Sequence, residues 1–357
     1  MYKPLILGSL SLMLIKPALA ATVNMDPSCS VATDVNNQCQ AAFIRAVNQA
    51  GPNGTVHFTK GVYNDIGFYR WNFSGQVIYE GFKITGDGMH QVRINASSRG
   101  WDFRGMKNVS IENVEIVGAS GNQGNLINAG AEAKEGKFNL YRVSLRNAGV
   151  DLINLNGFNE VSIVIGSLIE SGLAGRKESD GVRPQGSGIT ISNINKGLIN
   201  NTYFSATRKV GVLAMLNVNN LTLSNNTFRL RNSGVETAYS PMGGACFYQS
   251  SVNNKNIKFL NNQCTDYYVN GIRVMGKGME VLGNHFNHDK TLDPTCRNTR
   301  IYPVVDQYST KKYAVKREYS SGTVFSKSGY RDNCFGYGWG TPETWNTNTI
   351  SHRIHPL

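Results

Sequence analysis

The chain has 357 residues, a formal net charge of +12 and only 17% charged residues. Its six cysteines, Cys29, Cys39, Cys246, Cys264, Cys296 and Cys334, form no CxxC pair, which argues against a zinc site and for an oxidising compartment. No run of Lys and Arg appears, so the positive charge points away from nucleic acid and toward an acidic polymer met outside the cytoplasm.

Residues 1–20 carry Lys3, an apolar stretch and then Ala18-Leu19-Ala20. Small residues at the −3 and −1 places predict a signal peptide cleaved after Ala20. Lys16 and Pro17 interrupt the apolar run, which is too short to span a bilayer, and no other stretch reaches that length. The mature protein is therefore expected to be secreted or periplasmic, with no membrane span.

Residues 37–63, NQCQAAFIRAVNQAGPNGTVHFTKGVY, predict a helix followed by a first strand. Cys39, Phe43, Val47 and Ala50 share one helical face with Ala42 and Ala46 beside it, and Gly51-Pro52 ends the helix. His57 in that strand reads as a packing residue.

From residue 100 onward two elements alternate. The first is a glycine followed by alternating residues: GWDFR (100–104), GNLIN (124–128), GVDLI (149–153), GVRPQ (181–185), GVLAM (211–215), GACFY (244–248) and GIRVM (271–275). The second is an apolar strand broken by asparagines, of which NLTLSNNTF (220–228) is the clearest. Asparagine is depleted in strands, yet the pattern recurs at 108–116, 197–204, 256–264 and 279–286. Self-similarity at such spacings means stacked supersecondary units, and the period-two alternation excludes helical repeats. Each unit is expected to form one coil of short strands, with successive coils stacking as parallel sheets about 4.8 Å apart. Asparagines of neighbouring coils then hydrogen-bond as a ladder.

This pattern resembles the right-handed parallel β-helix of the pectate-lyase-like superfamily. The likeness covers about residues 37–290, with the helix at 37–50 capping the amino-terminal end. The fold class implied is all-β: a single-stranded right-handed parallel β-helix of seven to nine coils over 21–290. An irregular carboxy-terminal cap follows over 291–357.

Registering the glycine strands on one another separates two faces. Residues one and three places after each glycine are expected to point inward, and those two and four places after it outward. The outward set includes Asp102, Arg104, Asn128, Asp151, Arg183, Gln185, Cys246, Tyr248 and Arg273, with Glu178, Asp180, Arg208, Lys209, Tyr268 and Lys277 on adjoining turns. Such a ribbon suits a linear polymer, and the resemblance likewise implies a cleft along a sheet face. Its expected catalytic centre is Asp151, Asp180, Arg183, Arg208 and Lys209. Asp102, Arg104, Asn128, Gln185, Tyr248, Tyr268, Arg273 and Lys277 would bind substrate.

Two chemistries fit. β-Elimination from a uronic-acid polymer needs cations to neutralise the carboxylate, a base and a proton donor, which Arg183, Arg208, Lys209, Arg273 and Tyr248 or Tyr268 could supply. Inverting glycoside hydrolysis needs two carboxyl groups about 6.5–9.5 Å apart, for which Asp102 and Asp151 are the pair. A lyase is favoured, with a glycoside hydrolase or a non-catalytic polysaccharide binder as alternatives. No cofactor is required. Related lyases often add calcium, and here Asp151, Asp180 and Glu178 would hold it. The paired Asp-Asp and Gly-His-Gly of polygalacturonases are absent, and Asp293-Pro294 is followed by Thr295, not by the His of alginate epimerases. His285 and His288 read as turn residues of the repeat. Cysteine pairs Cys29–Cys39 and Cys296–Cys334 are expected to staple the two caps, with Cys246 and Cys264 left open. Tyr337 and Trp339 belong to the terminal cap. The sequence does not set the oligomeric state.

Overall fold

The structure is a computed structural model that describes residues 20–30, 38–69, 72–73, 79–119, 124–131, 135–171, 186–207, 210–230, 245–265, 270–274, 279–287, 302–306, 324–325 and 355–356. The short strands stack into three faces, every ladder parallel. The first face starts at Thr22–Asn24 and Thr55–Phe58 and runs to Glu280–Leu282. The second starts at Gly61–Ile66 and passes through Ser167–Ser171, Tyr203–Thr207 and Thr227–Arg229. The third runs from Trp101–Arg104 through Ile127–Gly130, Ile153–Asn156, Ile189–Ser192, Val210–Ala214 and Ala245–Gln249. This is the right-handed parallel β-helix that the repeats predict.

The doubled asparagines now divide into two roles. Asn225 and Asn261, each the first of its pair, and Asn201, the second of Asn200-Asn201, turn the chain from the first face to the second, with φ of 55°, 52° and 51°. Asparagine tolerates this left-handed region better than most residues. The residue after the turn is buried where it is asparagine: Asn226, Asn262 and, after the turn at Gly283, Asn284. Asn262 Oδ1 accepts from the Asn226 backbone N–H and side-chain amide, both at 2.9 Å, and Asn284 Oδ1 does the same for Asn262 at 2.8 and 3.1 Å. Each of these amides also donates to a strand carbonyl of the preceding coil: Asn226 to Ile199, Asn262 to Leu223 and Asn284 to Phe259. The ladder thus satisfies backbone groups that would otherwise be buried without partners.

A second rule governs the corner where the third face begins. The residue just before each inward strand residue also points inward, so two successive side chains enter the core. Leu126 and Ile127, and Leu152 and Ile153, are fully buried. Where this corner residue is glycine, the second face answers with a phenylalanine. A Cβ on Gly188 would lie 2.9 Å from Phe204, and one on Gly211 would lie 2.6 Å from Phe228. In the next coil Cys246 takes the corner and Cys264 stands in register with Phe228, and the two form a disulfide. The sequence register had Cys246 facing outward. The corner breaks the strict alternation, and Cys246 is fully buried.

The amino-terminal helix Gln38–Ala50 caps the stack as expected. Phe43 packs against Phe58 and Trp101 with centroids 6.0 and 6.2 Å apart. Gly51, at φ 73°, ends the helix, and its N–H donates to Val47 at 3.1 Å. Cys29 and Cys39 are both buried here, but the expected bridge is not formed: Cys39 Sγ donates to the Cys29 carbonyl at 3.3 Å. The other expected bridge, Cys296–Cys334, lies outside the described residues, as do Tyr337 and Trp339. Among the described residues no helix is long and apolar enough to cross a membrane.

Candidate functional site on the third face

The outward column of the third face reads Asp102, Asn128, Asn154, Thr190, Leu213 and Tyr248 from coil to coil. It begins as the expected polar ribbon. Arg104 grips Asp102 through two bonds of 2.8 Å, Nε to Oδ1 and a terminal nitrogen to Oδ2. The fork geometry is that of a paired guanidinium and carboxylate. Hydrogen bonds to Asp102 and its charge hold the Arg104 guanidinium pKa above its ordinary value. The Arg104 side chain is 59% exposed whereas Asp102 is 14% exposed, so the pair presents cation to solvent. On the following coils Asn154 donates to Asn128 at 3.3 Å, and Asn193 donates to Asn156 at 2.8 Å.

The strand after Gly149 is registered differently from the sequence expectation. It begins at Ile153, so Ile153 and Leu155 point inward and Asn154 outward. Asp151 therefore sits on the turn before the strand, not on its outward face. There its N–H donates to Asn125 Oδ1 at 3.1 Å, and its Oδ1 accepts from the Ser187 N–H at 2.7 Å. The carboxylate links consecutive turns. In the next coil the strand that pairs with Ile153–Asn156 is Ile189–Ser192, and the expected strand at 181–185 lies outside the described residues. Glycine serves as turn, corner and strand residue in this fold, and Gly149 stands on the turn before its strand.

The ribbon is also shorter than expected. Tyr248 does point outward, but it is 7% exposed and clusters with Val210, Leu213 and Ala245 apart from the main core. Beyond Thr190 the column is therefore apolar and covered at Leu213 and Tyr248. Arg273 is in register with Tyr248 on the strand Asn270–Val274. Asp180, Arg183, Gln185, Arg208, Lys209, Tyr268 and Lys277 lie outside the described residues, as does Glu178. Of the expected site, the structure brings together Asp102, Arg104 and Asn128, with Asp151 on the turn before Asn154. Sequence reasoning missed Asn154 and Asn156; the alternation Ile-Asn-Leu-Asn over 153–156 was the signal that would have found them. Among the described residues no group of three or more His, Cys, Asp or Glu side chains could hold a metal ion. His285 stands on the second face in register with Gln263, and His288 lies outside the described residues.

His57 is not a packing residue. It is half-buried on the outer side of the first face, with Nδ1 2.9 Å from Thr85 Oγ1 and Nε2 3.1 Å from Asp87 Oδ1.

No protein-family model matches the chain, and no curated protein does either. Solved structures of similar fold include ORF18 of Geobacillus virus E2, at 14% identity and TM-score 0.46, covering 75% of this chain. The chain spans 57% of the length of that structure. The Azotobacter vinelandii mannuronan C-5 epimerase AlgE6 A-module matches at 15% identity and TM-score 0.46, over 86% of this chain and 90% of its own. The catalytic unit of a GH87 alpha-1,3-glucanase from Streptomyces thermodiastaticus strain HF3-3 matches at 11% identity and TM-score 0.35, over 93% and 72%. At such identities the likeness is one of fold.

Proposed function

We propose that this protein is an exported enzyme of the pectate-lyase-like kind that acts on an acidic polysaccharide, cleaving it by β-elimination. The observation that carries this reading is the exposed Arg104 guanidinium at one end of an outward row of asparagine amides, Asn128 and Asn154, repeating at the coil spacing. A row of amides offers donors and acceptors to successive sugar hydroxyls. An exposed guanidinium offers bidentate recognition of a uronate carboxylate, whose neutralisation acidifies the adjacent C–H and so assists β-elimination. The overall positive charge would draw a polyanion to the surface. Hydrolysis is disfavoured among the described residues, because Asp151 Oδ1 is committed to the Ser187 N–H and Asp102 to Arg104. The candidate base and proton donor are those named from the sequence on the turns, Arg208, Lys209 and Tyr268.

The test is a screen of acidic glycans read two ways, by ultraviolet absorbance of an unsaturated product and by new reducing ends. A lyase raises both. Reducing ends without absorbance would replace elimination by hydrolysis, and binding without either would make the protein a carbohydrate-binding β-helix.

A further inference from the structure

We propose that Thr85, His57 and Asp87 form a hydroxyl–imidazole–carboxylate relay on the first face that hydrolyses carboxylic esters. The proposal is independent of the polysaccharide reading and concerns a different face. Thr55–Phe58 and Gly81–Gly86 are adjacent strands, and their register sets His57 beside Thr85. His57 Nδ1 lies 2.9 Å from Thr85 Oγ1, and Nε2 lies 3.1 Å from Asp87 Oδ1. The second oxygen of Asp87 accepts the Lys60 N–H at 2.7 Å, which fixes the carboxylate against the ring. With its proton on Nε2 and directed to Asp87, the imidazole turns the Nδ1 lone pair toward the Thr85 hydroxyl. Base, orienting carboxylate and nucleophile are thus in the order that acyl transfer needs, with the two ring nitrogens exchanged relative to the serine-hydrolase arrangement.

The group is reachable: the His57 and Asp87 side chains are 28% and 38% exposed. Lys83 stands two residues before Thr85 on the same side of the strand, its ammonium 2.7 Å from Oε2 of Glu112, the register partner of Thr85 on the neighbouring strand. In the reaction Thr85 Oγ1 attacks the ester carbonyl carbon while its proton passes to His57 Nδ1. The carbon–oxygen bond to the alcohol breaks, and the alcohol leaves with that proton, so that the acyl group rests on Thr85. Water then attacks the acyl carbon and gives its proton to the same nitrogen. The proton returns to Thr85 as the carboxylic acid departs, and nothing is oxidised or reduced.

The full-length chain is assayed with p-nitrophenyl acetate. Wild type should release p-nitrophenol faster than the buffer blank, and a quenched sample should carry acetyl on the peptide containing Thr85. Thr85→Val should fall to the blank, and Thr85→Ser should retain activity. His57→Gln can keep both hydrogen bonds but cannot act as a base, so its rate should drop about 100-fold or more while its melting temperature stays near wild type. Asp87→Asn should also lose rate. Wild type at the blank rate, or Thr85→Val and His57→Gln at the wild-type rate, would overturn the proposal.

Discussion

The Cys246–Cys264 pair can be exchanged for the Gly–Phe pair that fills the same two places one coil earlier. In that coil Gly211 leaves room for Phe228, whose ring would lie 2.6 Å from a Cβ at the glycine. Cys264 is the register partner of Phe228. Removing a disulfide between residues 18 apart costs about 3 kcal/mol in chain entropy. A glycine in a strand costs roughly 0.5–1 kcal/mol more, and burying a phenylalanine returns about 1.5–3 kcal/mol. The double variant Cys246→Gly/Cys264→Phe should therefore be about 0.5–2.5 kcal/mol less stable than wild type. Cys264→Phe alone should be worse, because the ring meets the Cys246 side chain. Cys246→Ser/Cys264→Ser should also be worse, because it loses the bridge and buries two hydroxyls at roughly 1–3 kcal/mol each when unpartnered. Urea unfolding of wild type, Cys246→Gly, Cys264→Phe and the double variant gives a cycle whose coupling should favour the double variant. If Cys264→Phe alone is as stable as the double, the corner and the second face are not complementary.

Four other outcomes are expected. Asn262→Ala removes the acceptor of Asn226 and leaves the Leu223 carbonyl without its amide, so urea unfolding should show a loss of about 3 kcal/mol or more, whereas Asn225→Gly at φ 55° should change stability little. Asp151→Ala should lower the melting temperature, because the Ser187 N–H loses its acceptor. Arg104→Ala should cost roughly 1 kcal/mol or less in stability and weaken turnover or binding of an acidic glycan. Hydrogen bonds from Lys137 and Lys196 hold the Glu160 carboxyl below its ordinary value of 4.5, so its stabilisation is present above that pH and is lost as pH falls below it. Glu160→Gln should flatten that part of an acid titration of stability, with a small amplitude because the pair is exposed.

The fold was legible because its two recurrent signals have single physical causes. The Asn-Asn pairs combine a left-handed turn with a buried amide ladder, and few other architectures place both at one point. The register was legible at Gly100 and Gly211, where the glycine stands directly before an inward strand residue. It failed at Gly149, because glycine also occupies turns, and nothing local separates these uses. Cys246 was misread because a corner admits two inward residues in succession, which an alternation rule cannot express. The His57–Thr85–Asp87 contact joins residues 28 and 30 apart, and only the stacking register brings them together.

The most direct test of the polysaccharide-site account is hydrogen exchange of the protein with and without an acidic oligosaccharide that the screen identifies. Protection should concentrate on 101–104, 127–130 and 153–156, weaken as salt rises, and diminish in Arg104→Ala. Protection confined to the first or second face, or unchanged in Arg104→Ala, would contradict it.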